Sequence, residues 1–178
     1  MSKKLESIVL GGGCFWCLEA SYQIINGVTK VVPGYSGGDF KNPSYQDLHR
    51  TETGHAEVVK VSFDTSVISL DDILDIFWTI HDPTTLNRQG ADVGPEYRSI
   101  ILCSNNEQKN TAEQSIKRTQ KLWDKPIVTE LKQLDKFYEE EEIHHNYFNK
   151  NPGQAYCQIV INPKLEKLRQ KLSEKLKS

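Results

Sequence analysis

Apolar residues recur along the chain with two periods, every second residue in some stretches and every three to four in others. The alternation divides the chain into strands and helices. Residues 6–10, ending in Ile8, Val9 and Leu10, read as a short buried strand. Gly11, Gly12 and Gly13 follow, and then Phe15, Leu18, Tyr22 and Ile25 fall at helical spacing over residues 14–25. Residues 28–32 read as a second strand, ended by Pro33-Gly34, and residues 57–63, rich in β-branched side chains, as a third. Between them, residues 34–56 carry Gly34, Gly37, Gly38, Asn42, Pro43 and Gly54, the composition of a long loop. Long ordered loops in compact domains are often functional.

Ser69 opens the next helix, with Asp72 three residues on in a capping-box pattern and Ile73, Leu74, Phe77 and Ile80 as its apolar stripe. His81-Asp82-Pro83 stops it. A polar loop over 82–96, a strand over 97–103, a helix over 106–123 and a strand over 127–131 follow, and Ile159 to Ile161 form a further short apolar run. Asn162 reads as the cap of a final helix, with Pro163 at its first position and Leu165, Leu168, Leu172 and Leu176 on one face. No internal repeat or domain boundary is evident, and only the last helix looks separable. Several strands lie close enough in sequence to pair antiparallel, so the pattern predicts an α+β fold.

Composition narrows the function classes. The chain has 178 residues, a length suited to one domain. Lysine and arginine number 22 against 24 acidic residues, a formal charge of −2, which argues against a broad nucleic-acid-binding face. No apolar run approaches the roughly 18 residues that span a bilayer. Met1-Ser2-Lys3-Lys4 leads into an apolar stretch too short for a secretory signal, so the expected compartment is the cytoplasm. Four cysteines, Cys14, Cys17, Cys103 and Cys157, are too few for a disulfide scaffold in a chain of this length. In a reducing compartment they point to redox chemistry or metal.

Cys14 carries the most information. It follows a strand and three glycines and begins a helix, where backbone N–H groups and the helix dipole favour a thiolate. The dipole alone contributes about 0.3–1 kcal/mol, less than one pKa unit, so other groups are needed to bring the thiol near neutrality. Cys17 completes a Cys-x-x-Cys pair, which fits a redox disulfide, a thioredoxin-like oxidoreductase or half of a zinc site. No second pair follows at zinc-finger spacing. Phe15 and Trp16, beside the nucleophile, fit an apolar pocket for a small uncharged group. The acidic run Glu139 to Glu142 with His144 and His145 reads as a solvated face, and Cys103, inside an apolar strand, as an inert core thiol.

The chain closely resembles peptide methionine sulfoxide reductase A. The likeness rests on Gly13-Cys14-Phe15-Trp16, Gly34-Tyr35-Ser36-Gly37-Gly38, Asn42-Pro43-Ser44-Tyr45 and Gly54-His55-Ala56-Glu57. It continues through His81-Asp82-Pro83-Thr84, Arg88-Gln89-Gly90-Ala91-Asp92, Tyr97-Arg98-Ser99, Asn151-Pro152 and Tyr156-Cys157, and so runs over residues 7–165. The resemblance implies a two-layer α/β sandwich with a ferredoxin-like core. It implies one catalytic domain over 1–178, with residues 149–178 a C-terminal tail carrying the resolving thiol.

It also implies reduction of methionine-S-sulfoxide, free or in proteins, without cofactor or metal. Cys14 would attack the sulfoxide sulfur and Glu57 would supply the proton for the departing oxygen. To be half protonated at pH 7, a glutamate must rise by about 2.7 units from about 4.3, or about 3.7 kcal/mol, which burial can supply. Tyr45 and Tyr97 match the phenols that bind the oxygen, Asp92 an acidic residue near the substrate, and Phe15 and Trp16 the methyl pocket. Cys14 would become a sulfenic acid, and a second thiol would condense with it to a disulfide recycled by thioredoxin. Cys157 matches the family's usual resolving position and Cys17 is the other candidate. Gly153 would let the tail swing in. The expected working unit is a monomer.

Overall fold

The computed structural model describes residues 4–39, 41, 47, 53–140, 145–151 and 153–177. A six-stranded sheet is built from β1 (Leu5–Gly11), β2 (Val28–Ser36), β3 (Ala56–Asp64), β6 (Ile100–Cys103), β7 (Glu130–Gln133) and β8 (Phe137–Glu139) in the order β7-β6-β1-β3-β2-β8. All neighbours are antiparallel except β6 and β7. The short strands β4 (Arg88–Gln89) and β5 (Asp92–Val93) pair separately. The helices are α1 (Phe15–Gln23), α2 (Leu70–Ile80), α3 (Asn106–Gln120), α4 (Tyr147–Lys150) and α5 (Asn162–Leu172).

Side chains alternate across a strand, and the sheet uses both faces. Ile8, Leu10, Val59, Val61, Phe63, Ile101 and Cys103 pack with the apolar faces of α1, α2 and α5 in one large core. The intervening Val9, Val58, Ile100 and Leu102 point the other way, under Leu134 and Phe137. Each such side chain taken fully from water contributes about 1.5–3 kcal/mol. Ser69 caps α2 as its sequence predicts, accepting from Asp72 N at 3.1 Å, and Trp78 Nε1 of α2 donates to Ser115 Oγ of α3 at 2.8 Å.

Four boundaries differ from the sequence pattern. β2 does not end at Pro33-Gly34 but continues to Ser36. A strand residue's N–H and C=O point to the same side, and the Pro33 carbonyl accepts from Glu140 N just past β8. The missing donor therefore faces the sheet margin and the β3 ladder is intact. The strand expected over 97–103 begins at Ile100, because Pro95–Tyr97 is a single 3₁₀ turn. The strand expected at 127 begins at 130: the N–H groups of Ile127 and Val128 donate to Gln120 Oε1 and to the Pro83 carbonyl instead of to β6. Asn162 does not cap α5. The chain is already helical over Cys157–Ile161, in a wide π turn that ends just before Pro163, which has no N–H for an α ladder.

The last helix is packed, not separable. Leu165 and Leu168 are fully buried. Beyond α5 the chain is clasped to the end of α1: Asn26 N donates to the Lys175 carbonyl and Lys177 N to the Ile24 carbonyl, each at 2.7 Å. Ile25 and Leu176 form an isolated β-bridge, and Lys175 Nζ lies 2.7 Å from Asp72 Oδ1.

Candidate active site

Gly12 and Gly13, just after β1, bring the chain up tightly against the buried polar side chains of His81 and Gln89. A Cβ on Gly12 would lie 2.8 Å from the His81 ring, and Gly13, with φ of +93°, lies against Gln89. Burial holds His81 neutral by pushing its pKa down to about 4. Its Nδ1–H therefore donates to the Phe77 carbonyl at 2.5 Å and its Nε2 accepts from the Ser99 hydroxyl at 2.8 Å. Gly13 N donates to the Tyr97 carbonyl at 3.2 Å. The turn delivers Cys14 as the N-cap of α1 in extended backbone, the residue being 7% exposed.

Parity on β3 places the acid. Glu57 lies on the same face as Val59, Val61 and Phe63, so it points under the start of α1 rather than toward solvent. It is 2% exposed and its Oε1 accepts from Phe15 N at 3.2 Å. Burial raises its pKa to about 8, against the Phe15 N–H, which lowers it; the Glu96, Asp92 and Glu140 charges add to the rise. The carboxyl is thus mostly neutral at pH 7.

Cys14 and Glu57 share one cavity of about 170 Å³, lined also by Phe15, Trp16, Asp92, Tyr97 and Tyr156. Six residues singled out in the sequence, Cys14, Phe15, Trp16, Glu57, Asp92 and Tyr97, are thereby brought together. Tyr45 lies outside the described residues, as does His144. Burial and the surrounding Glu57 and Asp92 charges raise the Tyr97 phenol, so it is a donor at every physiological pH.

Two side chains missed as site residues complete the wall. Tyr156 donates to Asp92 Oδ2 at 3.2 Å, lies 3.5 Å from Cys17 Sγ and stands edge-on to Trp16. Tyr147 stacks on Trp16 with ring centres 3.7 Å apart. Its segment is held by buried Glu19, which accepts from Asn146 N at 2.8 Å and Tyr147 N at 3.2 Å. Tyr156 is visible in the Tyr156-Cys157 pair; no sequence signal marks Tyr147.

The thiols do not follow the simple helix-terminus expectation. Burial pushes Cys14 well above the usual thiol range, and the neighbouring Glu57 charge adds to it. Cys17 falls to about 7, chiefly because it accepts a hydrogen bond from Cys14. Cys157 is fully buried on the π turn and its thiol is raised by burial and by the Cys17 charge. Cys103 is buried on β6, its pKa raised to about 11 by burial, as expected of a core thiol.

The sequence matches the family model of peptide methionine sulfoxide reductase over residues 6–176. It is 54% identical over 165 residues to the peptide methionine sulfoxide reductase MsrA of Paenarthrobacter aurescens, covering 93% of this chain and 95% of that one. To the MsrA of Saccharolobus solfataricus it is 52% identical over 173 residues, covering 97% and 98%. The fold is similar to reduced Mxr1 of Saccharomyces cerevisiae, with a TM-score of 0.82 and 34% identity over 86% of this chain and 90% of that one. It is also similar to Mxr1 in complex with Trx2, with a TM-score of 0.59 and 26% identity over 79% and 84%.

Proposed function

The chain belongs to the peptide methionine sulfoxide reductase family and is an oxidoreductase, and from that premise we propose that it reduces methionine-S-sulfoxide, free or in proteins, at Cys14. The observation that carries this reading is the shared cavity, which sets a sulfur nucleophile beside a buried neutral carboxyl. The sulfoxide methyl group packs against Phe15 and Trp16, and its oxygen faces Glu57 and the Tyr97 phenol, with Tyr45 as the second phenol by family likeness. Cys14 sulfur attacks the sulfoxide sulfur as Glu57 gives its proton to the oxygen, and the Cys14 proton replaces the one Glu57 has lost. The hydroxyl then passes from the substrate sulfur to Cys14 sulfur as the transient sulfur–sulfur bond breaks, so that methionine leaves, reduced by two electrons, and Cys14 is left as a sulfenic acid. A second thiol, Cys157 or Cys17, condenses with it, and a thioredoxin reduces the disulfide. Asp92 positions the substrate through its bond with Tyr156.

A ferredoxin-like core in a two-layer sandwich is the proposed fold type. The β1-α1-β2-β3-α2-β6 succession and the sheet order β6-β1-β3-β2 support it. The proposed unit is one catalytic domain with residues 149–178 as its thiol-bearing tail, acting as a monomer. The proposed compartment is the cytoplasm, where a thioredoxin-type reductant operates. Among the described residues no helix is long and apolar enough to cross a membrane.

The test is a turnover assay with both sulfoxide epimers and dithiothreitol as reductant. The S epimer is consumed and the R epimer is not, and Cys14→Ser abolishes the activity. Normal turnover by that variant removes Cys14 from the chemistry.

A further inference from the structure

We infer that the groove beside the catalytic cavity holds the polypeptide that carries the methionine sulfoxide, and that Lys164 and Lys167 select substrates with an acidic side chain near the oxidised residue. The inference rests on the reductase reading and names the substrate class of that same site. The catalytic cavity, about 170 Å³, is smaller than the roughly 300–1,000 Å³ of sites that enclose a whole ligand. It therefore takes the end of one side chain and leaves the substrate backbone outside. A larger hollow of about 590 Å³ lies beside it, and Asp92 and Tyr156 line both. One wall of this groove is a stripe of the tail. Tyr156, Ile159, Val160, Pro163, Lys164 and Lys167 recur at helical spacing and so share one helical face. The turn between β4 and β5 and the end of α2 line the rest.

The stripe changes character as it leaves the cavity. Ile159, 73% exposed, follows Tyr156 with Val160 and Pro163 as an apolar stretch, and the two ammonium groups come after it. The chain is helical from Tyr156 to Lys164, eight residues on. At about 1.5 Å per helical residue that is on the order of 12 Å, which three or four residues of extended polypeptide cover at about 3.3 Å each. An acid three or four residues from the sulfoxide thus meets Lys164, with Lys167 one helical turn further on. Neither lysine pairs with an acid among the described residues. The groove's own acids are bound within the protein. Asp82 Oδ1 accepts from Thr84 N at 2.9 Å and Thr84 Oγ1 at 2.6 Å, and Asp92 Oδ2 accepts from Tyr156. The Lys164 charge is also felt at the site. It adds to the lowering of Cys17, behind the Cys14 hydrogen bond, and of His81, behind burial.

The experiment measures kcat/KM for short blocked peptides with a central methionine-S-sulfoxide and a Glu, Gln or Lys three residues before or after it. Dithiothreitol is the reductant, so no protein reductant competes for the groove. At low salt the better-placed Glu peptide exceeds its Gln counterpart by about three- to tenfold, as two exposed ion pairs allow, and the Lys peptide falls below both. High salt erases the order. Lys164→Glu with Lys167→Glu reverses it, so that Lys peptides are preferred. Equal kcat/KM for Glu, Gln and Lys peptides in the unaltered protein overturns the inference and leaves the reductase reading intact, as does a Glu preference that survives the double substitution. If the double substitution raises only the KM for thioredoxin and leaves the peptide order as it was, the groove belongs to the reductant and the inference is wrong. The peptide series and its salt dependence need no variant, so misfolding of the doubly substituted protein does not blunt the test. Absence of methionine formation from every peptide overturns the reductase reading and the groove's role with it.

Discussion

At the scale of single residues, Glu57 decides how the site responds to pH. Its carboxyl titrates near 8 because it is buried on the helix-facing side of β3. The acid form predominates below that value and is lost above it, so the rate of the first methionine release should fall as pH rises through about 8. Glu57→Gln should slow that step far more than it weakens substrate binding and should abolish the pH dependence, as single-turnover quench kinetics would show. Stability carries the same signature. A carboxyl whose folded pKa is raised binds more protons folded than unfolded, so its contribution is fully present below the unfolded value near 4.5 and declines as pH climbs toward 8. The slope is at most about 1.4 kcal/mol per pH unit. Denaturant midpoints across that window should flatten in Glu57→Gln. The sequence names the residue through its family likeness, but a glutamate opening a strand otherwise reads as exposed. Only the parity of β3 relative to α1 shows that it is sealed in.

At the scale of elements, the strand–glycine–helix unit positions the nucleophile. Gly13→Ala forces an L side chain to φ of +93° and toward Gln89. Such strain costs on the order of 1–3 kcal/mol and shifts the N-cap, so turnover should drop at least tenfold along with stability. Ser69→Ala supplies the comparison. It removes the α2 cap, costs about 1 kcal/mol, and should leave turnover unchanged, because Ser69 lies at the opposite end of α2 from His81 and Phe77, which meet the glycine turn. Urea unfolding and steady-state rates on the two variants together check this. The elements most legible in the sequence are those with a strong local period, β1, α1, β3 and α2. What escaped it depends on distant partners. β8 has three residues and exists because Gly34, Tyr35 and Ser36 offer it an edge. α4 rests on Glu19, far away in sequence. The Asn162-Pro163 pair has the composition of a helix start, and tertiary packing of Cys157 and Ile161 carries the helix through it.

At the scale of the whole molecule, the site draws its side chains from β3, the turn before α1, the β4–β5 ribbon, the 3₁₀ turn and the tail. The sequence reads Glu57 at a strand start, Cys14 to Trp16 at a helix start and Asp92 in a polar loop, whereas their convergence is a property of the sheet order. The tail was the least legible part. The sequence reads it as an arm able to swing on Gly153, yet the structure fixes it through Leu165 and Leu168 and again through the clasp at Lys175 and Lys177. Deleting residues 173–178 should leave the first methionine release near its usual rate and lower the urea midpoint, because it removes the Lys175 and Lys177 clasp, as quench kinetics and unfolding curves would show.

The clasp makes the tail a belt buckled at both ends. A sulfur on a free arm wanders through a large volume and returns by chance, while one on a buckled belt is held against α1, at an effective concentration well above that of a dilute free thiol. Small thiols should therefore compete poorly for the oxidised centre for as long as the buckle holds.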